Sequence, residues 1–411
     1  MPEHVTPEIK AHPVLYLVLF LPMGLSNGYV VVTLGYLLAN QGHVSVAAVG
    51  WLGALSLMPQ TWKFFWAPLV DTTLTIKGWF LLSAIATGLL MAATAFIAPV
   101  SANLTLIEVM VVAFSLASSF NAMAADSIMA HTTGPDEKGR AGGWSQAGNL
   151  GGSGLGGGAV LWLSQHPHAD LTSAAALMLA CLLPCVALLF VKEPPAAHRA
   201  VQRYVDSVWN VLLEVWDILK RHKGALASFI MLLPIGVGSA QNLWSAISGD
   251  WHASANTVAL ATGVLSGVVS MVGCIVGGVI CDKMDRKTAY CVFGIVLALC
   301  AVGMALAPRT ETMYVVFTTA YNFITGFCYA AFGAIVLESI GGGAAATKYN
   351  VLAGISNLPI AYQTVIDGWG HDKWGANGLL YADALCGIAG VALFAAVALA
   401  SRRLYPRWAA A

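Results

Sequence analysis

VLYLVLFLPMGLSNGYVVVTLGYLL, residues 14–38, is a long run without one charged side chain. About 20 consecutive apolar residues cross the hydrocarbon core of a bilayer, so this stretch is long enough to span. It is too long for the apolar core of a signal peptide and carries no small-residue cleavage site. It reads as a first spanning helix.

Working outward with the same yardstick predicts twelve spans, at roughly 14–39, 45–71, 78–98, 104–131, 141–164, 171–191, 224–248, 255–282, 287–307, 311–340, 345–370 and 376–401. The breaks between them carry Pro, Gly, His, Asp or Lys/Arg. Composition agrees with an all-α polytopic membrane protein: 58% of the 411 residues are hydrophobic and 10% charged, against about 25% charged in a soluble domain. A formal net charge of +0 argues against a nucleic-acid partner held by its phosphates. The eight cysteines fall in apolar stretches without metal-ligand spacing and read as small packing residues. The ten histidines lie in loops or at span ends, so no haem, intramembrane metal or other cofactor is expected. That weakens a membrane-enzyme reading.

Basic residues segregate. Most, among them Lys10, Lys77, Lys138, Arg140, Lys283 and Arg402, fall on the side of the termini, whereas the opposite side holds Arg309 and Lys373. The positive-inside rule then puts both termini in the cytoplasm of a cell whose inner membrane the chain crosses. The longest polar stretch, 192–223, opens with Glu193-Pro194-Pro195 and spaces Val201, Val205, Trp209, Leu212, Trp216 and Leu219 nearly as a helix would. It predicts an amphipathic linker on the membrane surface, joining an N-terminal bundle (1–191) to a C-terminal bundle (224–411).

Those two halves repeat. Leu21-Pro22-Met23-Gly24 recurs 212 positions on as Leu233-Pro234-Ile235-Gly236, and Asp126-Ser127-Ile128 recurs at the same offset as Glu338-Ser339-Ile340. Ala67 to Asp71 is echoed 211 positions on by Gly278 to Asp282; Arg140 with Asn149-Leu150 is echoed 208 positions on by Lys348 with Asn357-Leu358. Each match alone is weak. Their common order and near-constant offset predict two parallel six-helix halves with a substrate path where they meet.

Asp282-Lys283-Met284-Asp285-Arg286-Lys287, preceded by Gly277-Gly278, resembles the loop signature G-x-x-x-D-[RK]-x-G-R-[RK] of the major facilitator superfamily, with Asp285 where glycine is usual. Lys63-Phe64-Phe65-Trp66-Ala67-Pro68-Leu69-Val70-Asp71 resembles the K-F-x-W-[SA]-P-L-x-D signature of the AmpG-like muropeptide permease and acetyl-coenzyme A transporter group. The stretches Asn121 to Asp126 and Ala346 to Trp369 are similar to that group too, and siderophore permeases share the region. The resemblance implies a twelve-helix carrier in which spans one, four, seven and ten line a cavity and five and eleven contribute. It also implies that Asp282 faces the start of span five and Asp71 that of span eleven.

Lys63, eight residues before Asp71, lies inside a span, where an uncompensated ammonium costs about 3 kcal/mol or more. Asp126 is at comparable depth. The pair reads equally as an anion contact and as a fixed ion pair, although the repeat position of Lys63 is Cys274. Asp71, Asp126, Arg140, Asp282, Arg286, Glu338 and Lys348 form a charged set near the terminus-bearing face. They are expected to gate or carry protons, since span starts attract carboxylates and buried carboxyls hold protons readily. The polar candidates for the cavity are Asn27, Asn121, Gln146, Asn149, Gln241, Asn242, Trp244, Asn322, Tyr329, Asn357 and Gln363, with Thr33 beside them, although Asn and Gln also glue helices together. The glycines of 148–158, which contain a formal G-x-G-x-x-G, lie inside a span; they are expected to pack span five against span eight rather than bind a nucleotide. Asp367 and Asp383 fall near the outer ends of spans eleven and twelve without an assigned role.

The function expected is secondary transport of a small amphiphilic or anionic solute by alternating access, with protons and membrane lipid as the other partners of a monomer. The alternative is an efflux or facilitative carrier without ion coupling.

Overall fold

A computed structural model describes residues 12, 14–97, 101–133, 138–191, 209, 213, 220, 222–281, 283–340 and 354–404. Among them every regular element is helical. In chain order the helical segments, whole or broken, are α1 (Val14–Gln41), α2 (46–72), α3 (Ile76–Thr94), α4 (Leu104–Thr132), α5 (138–163), α6 (Ala169–Phe190), α7 (222–251), α8 (Ala255–Cys281), α9 (Arg286–Leu306), α10 (Glu311–Ile340), α11 (357–373) and α12 (376–404). Of the predicted linker, only Trp209, Leu213, Lys220 and the first residues of α7 fall in the described set.

Among the described residues eight helices are long and apolar enough to cross a membrane. The last, Asn357–Leu404, is two spans folded back at Trp374 and Gly375; the +67° φ of Gly375 makes the turn at no steric cost. The segments that miss the criterion do so for local reasons. Chain α2 breaks at Trp62 (φ −96°, ψ 11°), so that Lys63 begins a second helical piece. Glycines dilute α5, which loosens to a π-helical turn at Leu155–Ala159.

Segment α7 departs furthest from expectation. A continuous helix over 224–248 is predicted, but the α-helix ends at Met231. Pro234 follows, then Gly236 at φ +61° and Gly238 at φ +69°, and short 3-10 turns at Ser239–Leu243 and Ser248–Trp251 carry the chain across. Irregular backbone at membrane depth survives only where protein encloses it, and residues 235–240 are all buried. Gly236→Ala should lower Tm by a few degrees in a thermal melt, since a left-handed alanine costs about 1–2 kcal/mol and its Cβ would stand 2.7 Å from Cys328 Sγ. Gly333→Ala, whose Cβ would have none of the described residues within 4 Å, should not lower it.

Small residues set the packing. A Cβ at Gly148, Gly152 or Gly156 of α5 would lie 2.1, 2.2 and 2.1 Å from the carbonyl oxygens of Leu17, Leu21 and Leu25 of α1. Backbones approach this closely only where side chains are missing. The expectation that all these glycines face α8 is therefore corrected: this ladder faces α1, and Gly273 and Gly277 of α8 face Phe323 and Phe327 of α10.

Gly154 and Gly158 do meet α8. A Cβ on Gly263 would come 2.7 Å from Gly158 Cα, and one on Gly158 would come 2.6 Å from the carbonyl of Ala259. The same contact occurs again between α2 and α11: a Cβ on Gly50 would be 2.8 Å from the carbonyl of Thr364, and one on Gly368 would be 2.8 Å from Ala47 Cα. Thr364 and Gly368 lie 210 positions after Gly154 and Gly158; Ala47 lies 212 positions before Ala259. One interface thus appears twice, exchanged by the internal repeat. Both copies lie toward the face opposite the termini. There Asn40 Nδ2 donates to the carbonyl of Ser245 at 2.9 Å, Ser245 Oγ donates to that of Val31, and Ala47 N–H reaches Asp372 Oδ1 at 3.3 Å. That face is sealed.

Candidate functional site

In the N-terminal half, the break at Trp62 sets Lys63 at the head of the second piece of α2, partly exposed, within electrostatic reach of Asp126 on α4. Asn121, one turn earlier on α4, is fully buried and donates Nδ2 to the carbonyl of Phe80 on α3 at 3.2 Å, which ties two helices of one bundle. Thr33 donates to the carbonyls of Gly156 and Gly157. Asn27 of α1 and Gln146 of α5 are exposed at mid-span, and Asn149 is half-buried with its carbonyl against Gly24. An exposed polar side chain at such depth avoids lipid and turns toward water or a ligand.

The C-terminal half gathers more polar chemistry, and the unwound stretch of α7 is the reason. A continuous helix would spend its amides on itself and send neighbouring side chains around its circumference; the 3-10 turns instead send several to α10 and α11. Gln241 Nε2 donates to Tyr329 Oη at 3.3 Å, and Asn242 Nδ2 to Thr364 Oγ1 at 3.0 Å. Trp244 is 1% exposed, stands edge-on to Tyr321 with centroids 5.1 Å apart, and among the described residues leaves its Nε1 without a partner. Asn322 is buried, its Nδ2 likewise unpaired, while its carbonyl accepts from Ser270 Oγ. Asn357 is half-buried at the start of α11.

Beside them lies a cluster that the sequence reading leaves without a role. Ser239 Oγ is 2.7 Å from Asp367 Oδ2 and 2.9 Å from Asp383 Oδ1. Tyr321 donates its hydroxyl to Asp383 Oδ2 at 2.9 Å, and Gln363 donates Nε2 to Asp367 Oδ1 at 2.7 Å. Asp367 is fully buried and Asp383 is 8% exposed. Two carboxyls inside spans are a signal readable from sequence alone; their shared serine, 128 and 144 positions away, is not.

At the sealed face, Arg309 lies 3.9 Å above the Trp251 ring and bonds Asn377, and His371 bonds Asp250 at 2.8 Å. Burial pushes the Arg309 guanidinium below its ordinary pKa, and nearby Asp250 pulls it back up. Glu311, held by the Ser254 N–H and Thr257 hydroxyl, joins the starts of α8 and α10. Of the charged set predicted near the other face, Asp126 and the half-buried Arg286 are described. Asp282 and Lys348, and the side chains of Asp71, Arg140 and Glu338, lie outside the described residues.

A family model described as the Major Facilitator Superfamily matches residues 16–364. Two anhydromuropeptide permeases, from Escherichia coli K12 and Escherichia coli O157:H7, are each 23% identical over 331 residues. Each match covers 77% of this chain and 66% of the permease, so the chain spans just under two thirds of these relatives' length. Among solved structures the chain is similar to a D-xylose–proton symporter (TM-score 0.70, 12% identity, 93% of this chain and 96% of that one). It is also similar to a nucleoside transporter (0.70, 13%, 93% and 98%) and to an inward-facing, unoccupied bacterial homologue of the human lysosomal transporter Spinster (0.67, 16%, 98% and 98%). At these identities the likeness to the solved structures is one of fold.

Proposed function

The chain belongs to the Major Facilitator Superfamily, and from that membership we propose a proton-coupled importer of a small amphiphilic or anionic solute, muropeptide-like or siderophore-like. It works as a monomer in the inner membrane with both termini in the cytoplasm. One observation carries the reading. Beneath a sealed face, Asn27, Gln146 and Tyr329 expose polar groups at mid-span on α1, α5 and α10, with Gln241 bonded to Tyr329 from the broken α7. In this reading elements from both halves offer hydrogen bonds toward one path, which the twice-repeated glycine interface closes at one end. Asn121, Asn149, Asn242, Trp244, Asn322, Asn357 and Gln363 shape its walls, and Lys63 supplies the cation that an anionic cargo needs. Asp71, Asp126, Arg140, Asp282, Arg286, Glu338 and Lys348 remain the proposed gate at the cytoplasmic face.

The test is uptake into proteoliposomes of radiolabelled anhydromuropeptide, a ferric siderophore or acetyl-coenzyme A, with the outside acidic. Accumulation above the outside concentration for one of them, collapsed by a protonophore, is the expected result. Equilibration that ignores the protonophore would establish the uncoupled carrier instead, and no uptake of any of the three would overturn the cargo class.

A further inference from the structure

We infer that Asp367, Asp383 and Ser239 form a binding site for a single proton, shared between two carboxyls through the serine hydroxyl. The argument is a count of hydrogens. Ser239 owns one hydroxyl hydrogen, yet its oxygen lies 2.7 Å from Asp367 Oδ2 and 2.9 Å from Asp383 Oδ1. It can make one strong bond to one of them, and a hydrogen split between the two, as Thr33 splits its own between two neutral carbonyls, would hold neither carboxylate fully. The other contact, if both carboxyls were ionised, would set lone pairs against lone pairs between two buried side chains. One carboxyl must therefore be an acid that donates to the serine.

The neighbours say which. Asp383 already accepts from the Tyr321 hydroxyl and the Ala240 N–H, which favours its ionised form. Asp367 accepts from Gln363 Nε2 and has an oxygen left for a proton. The ground arrangement is an Asp367 acid O–H donating to Ser239 Oγ, whose own hydrogen is donated to Asp383. Passing both hydrogens one step along moves the proton to Asp383 and the charge to Asp367, with nothing gained or lost overall.

Among the described residues nothing nearby neutralises a second negative charge. The titratable groups facing the pair are Tyr321 and Cys328 of α10, Cys300 of α9 and Cys386 of α12, and none of these carries a positive charge. Among the described residues neither carboxyl has an ion-pair partner. Two further observations point to traffic at the site. Gln363, 1% exposed, carries an Oε1 that has no hydrogen-bond partner among the described residues. A small cavity, lined by Pro234, Gly236 and Gly238 of α7, Gly294 of α9, Gly387 and Asp383 itself, gives Asp383 a second side. The cluster is also confined to one half: 210 positions before Asp367 and Asp383 stand Gly157 and Ser173. Architecture common to both bundles does not require it.

The inference deepens the proton-coupled reading above and rests on it for its meaning in transport. Ser239 heads the stretch that also holds Asn242 on Thr364 and Ser245 on Val31. Without the shared proton the serine can hold one carboxyl and not both, so α7 loosens from α11 or α12 and strains the seal between the halves.

The test needs no cargo. Purified full chain in nanodiscs, in sodium-free buffer, is titrated by infrared spectroscopy, which sees the C=O stretch of a protonated carboxyl. The wild type should show a band of this kind that Asp367→Asn removes whatever other carboxyls contribute, and Ser239→Ala should move that band's titration midpoint. Should Asp367→Asn fail to purify, Asp383→Asn removes the same proton by the same count. Wild-type and variant spectra that superimpose would overturn the site, as would sodium that abolishes the band, since the pair would then hold a metal cation. The two readings fail separately. A band that behaves as expected while uptake ignores a protonophore leaves the site standing and removes the coupling. Protonophore-sensitive uptake with an unchanged band does the reverse.

Discussion

Gly263→Leu should purify at wild-type yield, melt near the wild-type temperature and transport nothing. The substitution places a side chain where even a Cβ would lie 2.7 Å from Gly158 Cα and 2.8 Å from its nitrogen. Overpacking of this kind costs about 1–3 kcal/mol. Within one bundle that cost falls on folding. Here the contact joins two halves that the proposed transport cycle moves apart, so the chain would escape it by leaving the sealed state. A bias of 1–3 kcal/mol lowers that population about 5- to 150-fold relative to the open one. Gly152→Leu is the contrast: its Cβ would meet the Leu21 carbonyl at 2.2 Å inside the N-terminal bundle, no opening relieves it, and expression itself should fall. Spin labels at Gln41 and Lys373, both exposed near the sealed face, report the distinction in a cysteine-free background. Electron-resonance distances should lengthen in Gly263→Leu. An unlengthened distribution with full uptake would show that the glycine contact is not the seal.

The parts of this molecule that depend on composition were legible in its sequence, and those that depend on backbone breaks were not. Hydropathy finds the apolar helices because every lipid-facing turn must be apolar, and the repeat is echoed in the packing, since Gly154 and Gly158 recur 210 positions on as Thr364 and Gly368 in a second copy of one contact. The same hydropathy cannot separate helical α1 from unwound α7. Leu-Pro-x-Gly occurs in both, but α1 stays helical past Pro22 while Gly236 and Gly238 take positive φ. At 212 positions before Gly238 stands Ser26, for which that conformation is costly. Two glycines one residue apart after a proline were the available signal. The cluster at Ser239 follows from that break, because only the unwound chain brings a serine between α11 and α12. The glycine run of α5 was half legible: spacing shows that small residues pack, but which neighbour each faces depends on the rotation of the helix.

Lys63→Ala should abolish uptake, and the double variant Lys63→Ala/Asp126→Asn should decide why. If the ammonium and the Asp126 carboxylate are a fixed structural pair, removing one partner leaves a charge at membrane depth. That costs about 3–5 kcal/mol for a fully buried pair and less for Lys63, which is partly exposed. The single variant would then melt lower, and neutralising Asp126 as well would restore both stability and transport. If Lys63 meets an anionic cargo or holds the charge that Asp126 trades for a proton, the double variant recovers stability alone and still fails to transport. The second outcome is the expected one, on two grounds. The repeat places Cys274 opposite Lys63, so the bundle architecture does not demand a cation there. The helix also breaks at Trp62, one residue before it, which frees the side chain from the register of the preceding turns and exposes it in part. A lysine kept only to bind a neighbouring helix would gain nothing from that break. Full uptake by Lys63→Ala/Asp126→Asn would show the pair to be structural and move the anion-binding group elsewhere in the path.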